Sequence, residues 1–398
     1  MANLLDYIDW RGDLDFQRDS LCEVDNLIFS ELAYIPWEEV LEKASETGEI
    51  SLQAAATRFH EKYPEAPPSL GVFLADKAVR LLYRLSDSAR FSSVLVQDYA
   101  SYIDAAKDTQ FSATTFRLSD GTFFIAFRGT DDSLAGWKED FYLAFRDPVP
   151  AQQLACRYLR QVAERTEGAL YVGGHSKGGN LAVYAAAHVP RAVQGRILSV
   201  YSNDGPGFTR EVVTGKAYQS IVDKVESIIP QSSVIGMLME HEGHYKVVKS
   251  RHQGLFQHDG FFWEVRGRCF VEASRLSRES ELFDAALKNT LKNISDEQLE
   301  LFIDSLFQIL EAAGATTLSD LGQEKGRQAL SMLRTYTHMD EETKELLAGI
   351  VRLLFREQWQ ERQRRTHQSA TLSRISAMRA KARRGAGMPE KEGGDDEV

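Results

Sequence analysis

The residues best suited to chemistry lie between positions 170 and 186, in the run Leu-Tyr-Val-Gly-Gly-His-Ser-Lys-Gly-Gly-Asn-Leu-Ala-Val-Tyr-Ala-Ala. This run predicts an apolar strand, a tight turn and a helix of small residues. A Gly-x-Ser-x-Gly turn of this kind lifts a serine oxygen out of the sheet, where a base can activate it. Ser176 is therefore the predicted nucleophile. The N–H of Lys177, at the helix start, is a predicted donor to an oxyanion.

A serine nucleophile needs a histidine as its base and an acid that orients the histidine. When the turn belongs to a hydrolase sheet, the acid follows the serine in the sequence and the histidine follows the acid. Seven histidines lie downstream: His188, His241, His244, His252, His258, His338 and His367. His258 follows the last predicted strand of the sheet and precedes Trp263, so it is the predicted base. His252 is the second candidate. Asp204 follows the strand that comes after the helix at 177–188, and it is the candidate acid.

The elements around these residues alternate between strands and helices. Strands are predicted at 122–127, 169–173, 197–202, 225–229 and 245–248, and helices at 151–167 and 177–188. Such alternation favours an α/β fold, a mainly parallel sheet flanked by helices. The strands stop after about residue 274, and a capping box at Ser295 opens an amphipathic helix. We therefore expect a hydrolase-type domain over 1–272, a C-terminal α-helical extension over 273–366, and a basic then acidic, disordered tail over 367–398.

Composition excludes several classes of function. The 398 residues carry a formal net charge of −11, which argues against general nucleic-acid binding. Three scattered cysteines provide neither a disulfide framework nor a Cys-x-x-Cys site, and they fit a reducing compartment. No metal, nucleotide or flavin motif occurs, so no metal or cofactor is expected. The acidic start of the chain lacks the basic and apolar regions of a signal peptide, and we expect a cytoplasmic location.

A second motif, Phe-Phe-Ile-Ala-Phe-Arg-Gly-Thr at 123–130, is followed by Trp137 and Asp140. With the Gly-His-Ser-x-Gly elbow, it resembles the class 3 (fungal-type) triacylglycerol lipases. The resemblance implies that Thr130 supplies the other oxyanion donor through its backbone N–H, with its hydroxyl as a further candidate. Loss of one such donor typically costs about 3 kcal/mol of transition-state stabilisation.

Further stretches, which begin at residues 7, 23, 174, 203, 230 and 257, resemble a more specific family. This is an uncharacterised bacterial family of α/β-hydrolase-like proteins, a domain of unknown function related to the class 3 lipases. The resemblance covers about residues 5 to 265. It implies the α/β-hydrolase fold and gives no substrate.

The acid is the point at which the sequence departs from the lipase pattern. Class 3 lipases carry an Asp after the next-to-last strand, where this chain has Ser233. Asp204 lies one strand earlier. An acid has only to orient the imidazole and stabilise its cation, so a carboxylate on either strand end can serve. Asp204 is thus the predicted acid, and the alternative is a turn residue without a catalytic role.

These motifs predict a serine hydrolase that cleaves a small-molecule carboxylester or a lipid ester through an acyl-enzyme. The apolar segment 131–148 is a candidate lid. One alternative is a non-catalytic hydrolase scaffold that binds a protein partner through its helical extension; another is a thioesterase or acyltransferase with the same site. Residues 352–384 hold ten Lys or Arg and two Glu, which suggests contact with an anionic membrane surface or an acidic partner.

Overall fold

An eight-stranded sheet organises the chain in the computed structural model. The structure describes residues 2–41, 48–63, 75–241, 245–280, 295–314 and 325–348, apart from single positions within these ranges. The strands, in both sequence and spatial order, are β1 Ile50–Ser51, β2 Leu95–Asp104, β3 Thr109–Arg117, β4 Phe123–Phe127, β5 Leu170–His175, β6 Ile197–Asn203, β7 Val225–Pro230 and β8 Tyr245–Val248. Strands β1 to β4 pair antiparallel and β4 to β8 pair parallel. A separate hairpin joins β9 Val265–Arg266 to β10 Cys269–Phe270.

Strand β4 shows why the sheet is buried on both faces. All five of its residues are apolar and buried, and successive side chains point to opposite faces. Phe124 and Ala126 belong to one hydrophobic core. Phe123, Ile125 and Phe127 belong to the other. A strand without polar positions is typical of the interior of a sheet covered by helices on each side.

Helices supply that cover. In chain order they are α1 Leu4–Arg11, α2 Glu23–Leu32, α3 Glu38–Leu41, α4 Leu52–Lys62, α5 Ala75–Ser86, α6 Leu134–Tyr142, α7 Pro150–Arg165, α8 Lys177–His188, α9 Arg191–Arg196, α10 Arg210–Thr214, α11 Lys216–Gln219, α12 Asp296–Glu311 and α13 Lys325–His338. Residues of α1, α2, α4 and α5 fill the first core. Residues of α7 and α8 fill the second.

This architecture confirms the predicted fold class, an α/β-hydrolase with a mainly parallel sheet and a helical extension. The predicted strands at 122–127, 169–173, 197–202, 225–229 and 245–248 correspond to β4 to β8 within one or two residues. The long strand β2 was not predicted. Its residues Gln97, Asp98 and Ser101 are polar, so apolar alternation, the usual signal of a strand, is missing.

The chain divides into two compact units, Met1–His338 and Met339–Val398. The first unit contains the sheet together with α12 and α13, so it extends beyond residue 272, the predicted end of the hydrolase-type domain. The predicted domain boundaries at 272 and 366 remain predictions. The tail at 367–398 and the basic segment at 352–384 lie outside the described residues. Within the described part of the chain, no helix is long and apolar enough to cross a membrane.

Candidate active site

The elbow at Ser176 has the strained backbone that an exposed nucleophile needs. Ser176 joins β5 to α8 with a φ of 58°, a conformation that non-glycine residues rarely adopt. Its N–H donates to the Asn203 carbonyl at 2.9 Å, which fixes the turn against β6. A Cβ on Gly178 would lie 2.1 Å from the carbonyl oxygen of Phe127, so only glycine lets α8 approach β4 this closely. Ser176 itself is partly exposed, while Lys177 to Ala187 are buried.

Asp204 and His258 are brought together by the structure. Asp204 follows the end of β6 and also has a positive φ, 48°, which Asp tolerates better than most residues. Its carboxylate is fully buried, and Oδ2 lies 2.7 Å from Nδ1 of His258. The His258 side chain is 28% exposed, so its other ring nitrogen can face a substrate. This is the pairing of an orienting acid with a base.

Ser233 supports the carboxylate instead of replacing it. Its hydroxyl donates to Asp204 Oδ1 at 2.5 Å, and the N–H of Gly236 donates to the same oxygen at 3.2 Å. Ser233 thus stands at the strand end where class 3 lipases carry the acid, and it binds the acid that comes from β6. The segments that follow β6 and β7 thus meet at the carboxylate of Asp204.

A second histidine, His175, lies against the candidate base. The rings of His175 and His258 are 4.5 Å apart between centroids, and Nε2 of His175 donates to the backbone carbonyl of His258 at 2.7 Å. Because a carbonyl only accepts, Nε2 carries the proton of neutral His175. Burial holds the pKa of His175 well below its ordinary value, and proximity to His258 lowers it further. A neutral His175 adds no positive charge beside His258.

Ser176 and His258 do not form a direct hydrogen bond, although both residues are described. Catalytic hydrogen bonds are often long without substrate and tighten in the complex. His258 is linked to the elbow through His175, the residue before Ser176. The alternative base, His252, packs its ring at 3.7 Å from that of Phe262, and no carboxylate contacts it within the described residues.

The other side of the elbow carries the candidate oxyanion donors. A Cβ on Gly129 would lie 2.6 Å from the carbonyl oxygen of His175 and 3.1 Å from Cβ of Ser176, so the segment after β4 passes directly beside the nucleophile. The hydroxyl of Thr130 donates to Oδ2 of Asp140 on α6. Since that hydroxyl is engaged, the backbone N–H of Thr130 remains the candidate donor.

Lys177 contributes a free N–H at the start of α8, and its side chain is buried in a cluster of charges. Its Nζ lies 3.1 Å from Oε2 of Glu139, 3.5 Å from Oδ1 of Asp140 and 3.1 Å from the Gln110 carbonyl oxygen. Burial lowers the pKa of Lys177, but Asp140 and Glu139 outweigh burial and raise it. Burial, aided by Glu139, raises the pKa of Asp140 to about 6, against the opposing effect of Lys177 and Thr130.

The segment considered as a lid, 131–148, contains α6 and is anchored on its outer side by α12. Phe141 packs edge-on against Phe307 at 5.9 Å between centroids. The hydroxyl of Tyr142 donates to Asp304, and Arg146 pairs with Glu300. Helix α6 therefore contacts the charged cluster at the elbow and the helical extension.

The residues that sequence reasoning missed are the partners of the predicted ones. Glu139 and His175 had no predicted role, and Ser233 was noted only because it occupies the position where class 3 lipases carry the acid. His175 lies within the Gly-His-Ser motif, which could have singled it out, whereas no local spacing distinguishes Glu139 or Ser233, because each acts through an element distant in sequence. Among the described residues, no group of three or more His, Cys, Asp or Glu could hold a metal ion.

Comparisons with known proteins give three results. A comparison with curated proteins gives no match. Among solved structures, the chain is similar to "M37 lipase" (15% identity, 53% of this chain and 68% of that chain, TM-score 0.33). It is also similar to native Rhizomucor miehei lipase propeptide complex (12% identity, 62% and 81%, TM-score 0.29). The Mbeg1-like family model matches residues 85–308, more than half of the chain. This match confirms the prediction of a lipase-like family of unknown function: the chain belongs to the Mbeg1-like family.

Proposed function

We propose that this protein is a serine hydrolase that cleaves a carboxylester or lipid ester through an acyl-enzyme. The observation that carries the proposal is the 2.7 Å contact between Asp204 and His258, two residues that sequence order alone had paired. Burial of the acid, partial exposure of the histidine and the strained elbow at Ser176 support it. These are the properties that a nucleophile, a base and its orienting acid require.

The reaction would proceed in two acyl transfers. His258 removes the proton of Ser176 as the serine oxygen attacks the ester carbonyl, and Asp204 stabilises the resulting imidazolium. The N–H groups of Thr130 and Lys177 bind the oxyanion that forms. His258 then protonates the leaving alcohol. Water then gives a proton to His258 as it attacks the acyl-enzyme, and His258 passes that proton to the Ser176 oxygen as the carboxylic acid leaves, which restores the free enzyme.

Location and partners belong to the same proposal. Cys22, Cys156 and Cys269 are free thiols, which supports a reducing compartment such as the cytoplasm. Contact of the basic segment 352–384 with an anionic membrane or an acidic protein remains a prediction. A non-catalytic scaffold that binds a protein through its helical extension is the competing function.

The test is covalent labelling of Ser176. We expect a fluorophosphonate probe to label the wild type and p-nitrophenyl butyrate to be hydrolysed, because both need an activated serine. Ser176→Ala should lose labelling and hydrolysis while its thermal midpoint stays within about 2 °C, since the side chain is partly exposed. An unlabelled wild type would favour the scaffold. Equal labelling of the variant would show that Ser176 is not the nucleophile.

A further inference from the structure

Lys177 presents an unusual combination: the residue after the nucleophile carries a side chain that is only 1% exposed. Its backbone N–H lies at the start of α8, beside Ser176, while its ammonium is bound by the carboxylates of Glu139 and Asp140 and by the Gln110 carbonyl. The two ends of one residue thus contact the elbow and α6. Movement of α6 relative to the elbow would displace Lys177.

Glu139 joins this cluster to three elements. Its Oε2 accepts from Lys177 and from the N–H of Gln110 on β3, at 3.1 and 3.2 Å. Its Oε1 accepts from the N–H of Ala151 in the first turn of α7, at 2.9 Å. The carboxylate is therefore fully engaged in fixing α6 between β3 and α7.

Asp140, the next residue of α6, contacts the second candidate oxyanion donor. It accepts the Thr130 hydroxyl on one oxygen and lies near Lys177 with the other. Two adjacent carboxylates on one helix consequently hold both residues whose N–H groups would bind the oxyanion. Stability alone does not account for this arrangement, because well-packed apolar side chains often serve a fold as well as a buried ion pair.

We propose that the Lys177 ammonium and Glu139 are positioning residues that set the distance between the two oxyanion donors. This inference rests on the proposed hydrolase function. Neither group touches the substrate. An oxyanion hole works when its donors are fixed at the place where charge develops, so loosening them weakens the transition state more than the bound substrate.

The test removes both charges at once and keeps the side-chain volumes. In Lys177→Met/Glu139→Gln, neither member of this pair is left as an unpaired charge; Asp140 loses its cation but keeps the Thr130 hydroxyl. We expect kcat for p-nitrophenyl butyrate, normalised to active sites, to fall about 10- to 100-fold, less than the 10²- to 10³-fold effect of deleting a donor. KM should change less than about twofold. The rate of fluorophosphonate labelling should fall by the same factor as kcat, because the phosphoryl oxygen occupies the same hole.

A matched control is the ion pair of Arg90 and Asp25, which are both fully buried and joined at 2.6 Å, and whose other hydrogen-bond partners lie in residues 7–22. Arg90→Met/Asp25→Asn should lower the thermal midpoint but leave normalised kcat within about twofold. Equal losses of kcat in both double variants would mean general softening of the fold and would overturn the inference.

Three other outcomes are decisive. Unchanged kcat in Lys177→Met/Glu139→Gln overturns the inference while the proposed function stands. A wild type that neither labels nor hydrolyses esters overturns both. If the double variant does not fold, Glu139→Gln alone replaces it, since Lys177 keeps Asp140 and the Gln110 carbonyl as partners. A fall in kcat of about 3- to 10-fold at constant KM then supports the inference, and wild-type kcat overturns it.

Discussion

The candidate site has an acid–base half, Asp204 with His258, and an oxyanion half, Thr130 and Lys177 with the carboxylates of α6. The two halves hold their charged groups in different ways. On the acid–base half, one carboxylate, Asp204, is held by neutral donors: the Ser233 hydroxyl and the Gly236 N–H. On the oxyanion half, the Lys177 ammonium is buried with the carboxylate of Glu139 and contacts the partly exposed carboxylate of Asp140. Neutral donors hold a charge locally, whereas an ion cluster ties together the elements that supply its members. The acid–base half should therefore respond to single changes, and the oxyanion half as a unit.

The largest effect is expected where the acid–base half loses its base. His258→Ala should lower kcat for p-nitrophenyl butyrate by about 10⁵-fold, since His258 is the proposed acceptor of the Ser176 proton. His252→Ala is the matched control, because His252 packs on Phe262, and should change kcat less than about threefold. A reversed ranking in a steady-state assay would move the base to His252.

The next effect isolates the charge of the acid. Asp204→Asn keeps the shape of the side chain but favours the wrong tautomer of His258, and this change costs roughly 10⁴-fold in kcat in serine triads. The thermal midpoint should fall only slightly if the Ser233 hydroxyl reorients. Circular dichroism melts and active-site titration measure the two quantities. Wild-type turnover in the variant would show that Asp204 is only a turn residue.

The charges of the oxyanion half should make the free energy of unfolding depend on pH. Burial raises the folded pKa of Asp140 to about 6 from an ordinary 3.8, so folding binds a proton between these values. A raised carboxyl pKa favours the folded state at low pH, and that contribution is lost as pH rises through about 6. Relative to Asp140→Asn, the wild type should lose up to about 3 kcal/mol of unfolding free energy between pH 4 and 7.

Urea unfolding of both proteins at half-unit pH steps measures this difference. Asp204→Asn, measured in parallel, extends the comparison to the acid–base half. A stability difference between wild type and Asp140→Asn that stays constant from pH 4 to 7 would contradict the raised pKa of Asp140.

The smallest effect concerns the support of the acid. Ser233→Ala removes one of the two donors to Asp204 Oδ1 and leaves the Gly236 N–H. A hydrogen bond to a charged group contributes about 1.5–3 kcal/mol, and part of that loss should appear as a fall in kcat of about fivefold. Ser232→Ala is the control, because the hydroxyl of Ser232 donates to Ser277 instead. Equal kcat in the two variants would show that Ser233 does not support the acid.

Sequence reasoning reached the parts of the site that have local signals. The helix at 177–188 was predicted with its observed bounds, because glycines precede it and a proline follows. Ser176 and Asp204 each follow a predicted strand closely, and His258 lies between the last predicted strand and Trp263. Their assignment as a catalytic triad remains a prediction that only activity can test.

The residues that reasoning from sequence could not reach are paired over long distances. Lys177 and Glu139 are 38 positions apart, and Ser233 and Asp204 are 29 apart. Nothing in the spacing of Glu139 and Asp140 distinguishes them from an exposed acidic pair on an amphipathic helix. Their role becomes visible only when α6 is packed against β3 and α8.

Helix α6 has a mechanical consequence. One of its faces contacts the residues beside the nucleophile, and the other contacts Phe307 and Asp304 of α12. A helix of nine residues is stiff, so a displacement on one face of α6 moves the other face as well. Removal of the chain beyond residue 272 would take away these contacts, and we expect α6 to hold Thr130 and Lys177 less firmly as a result.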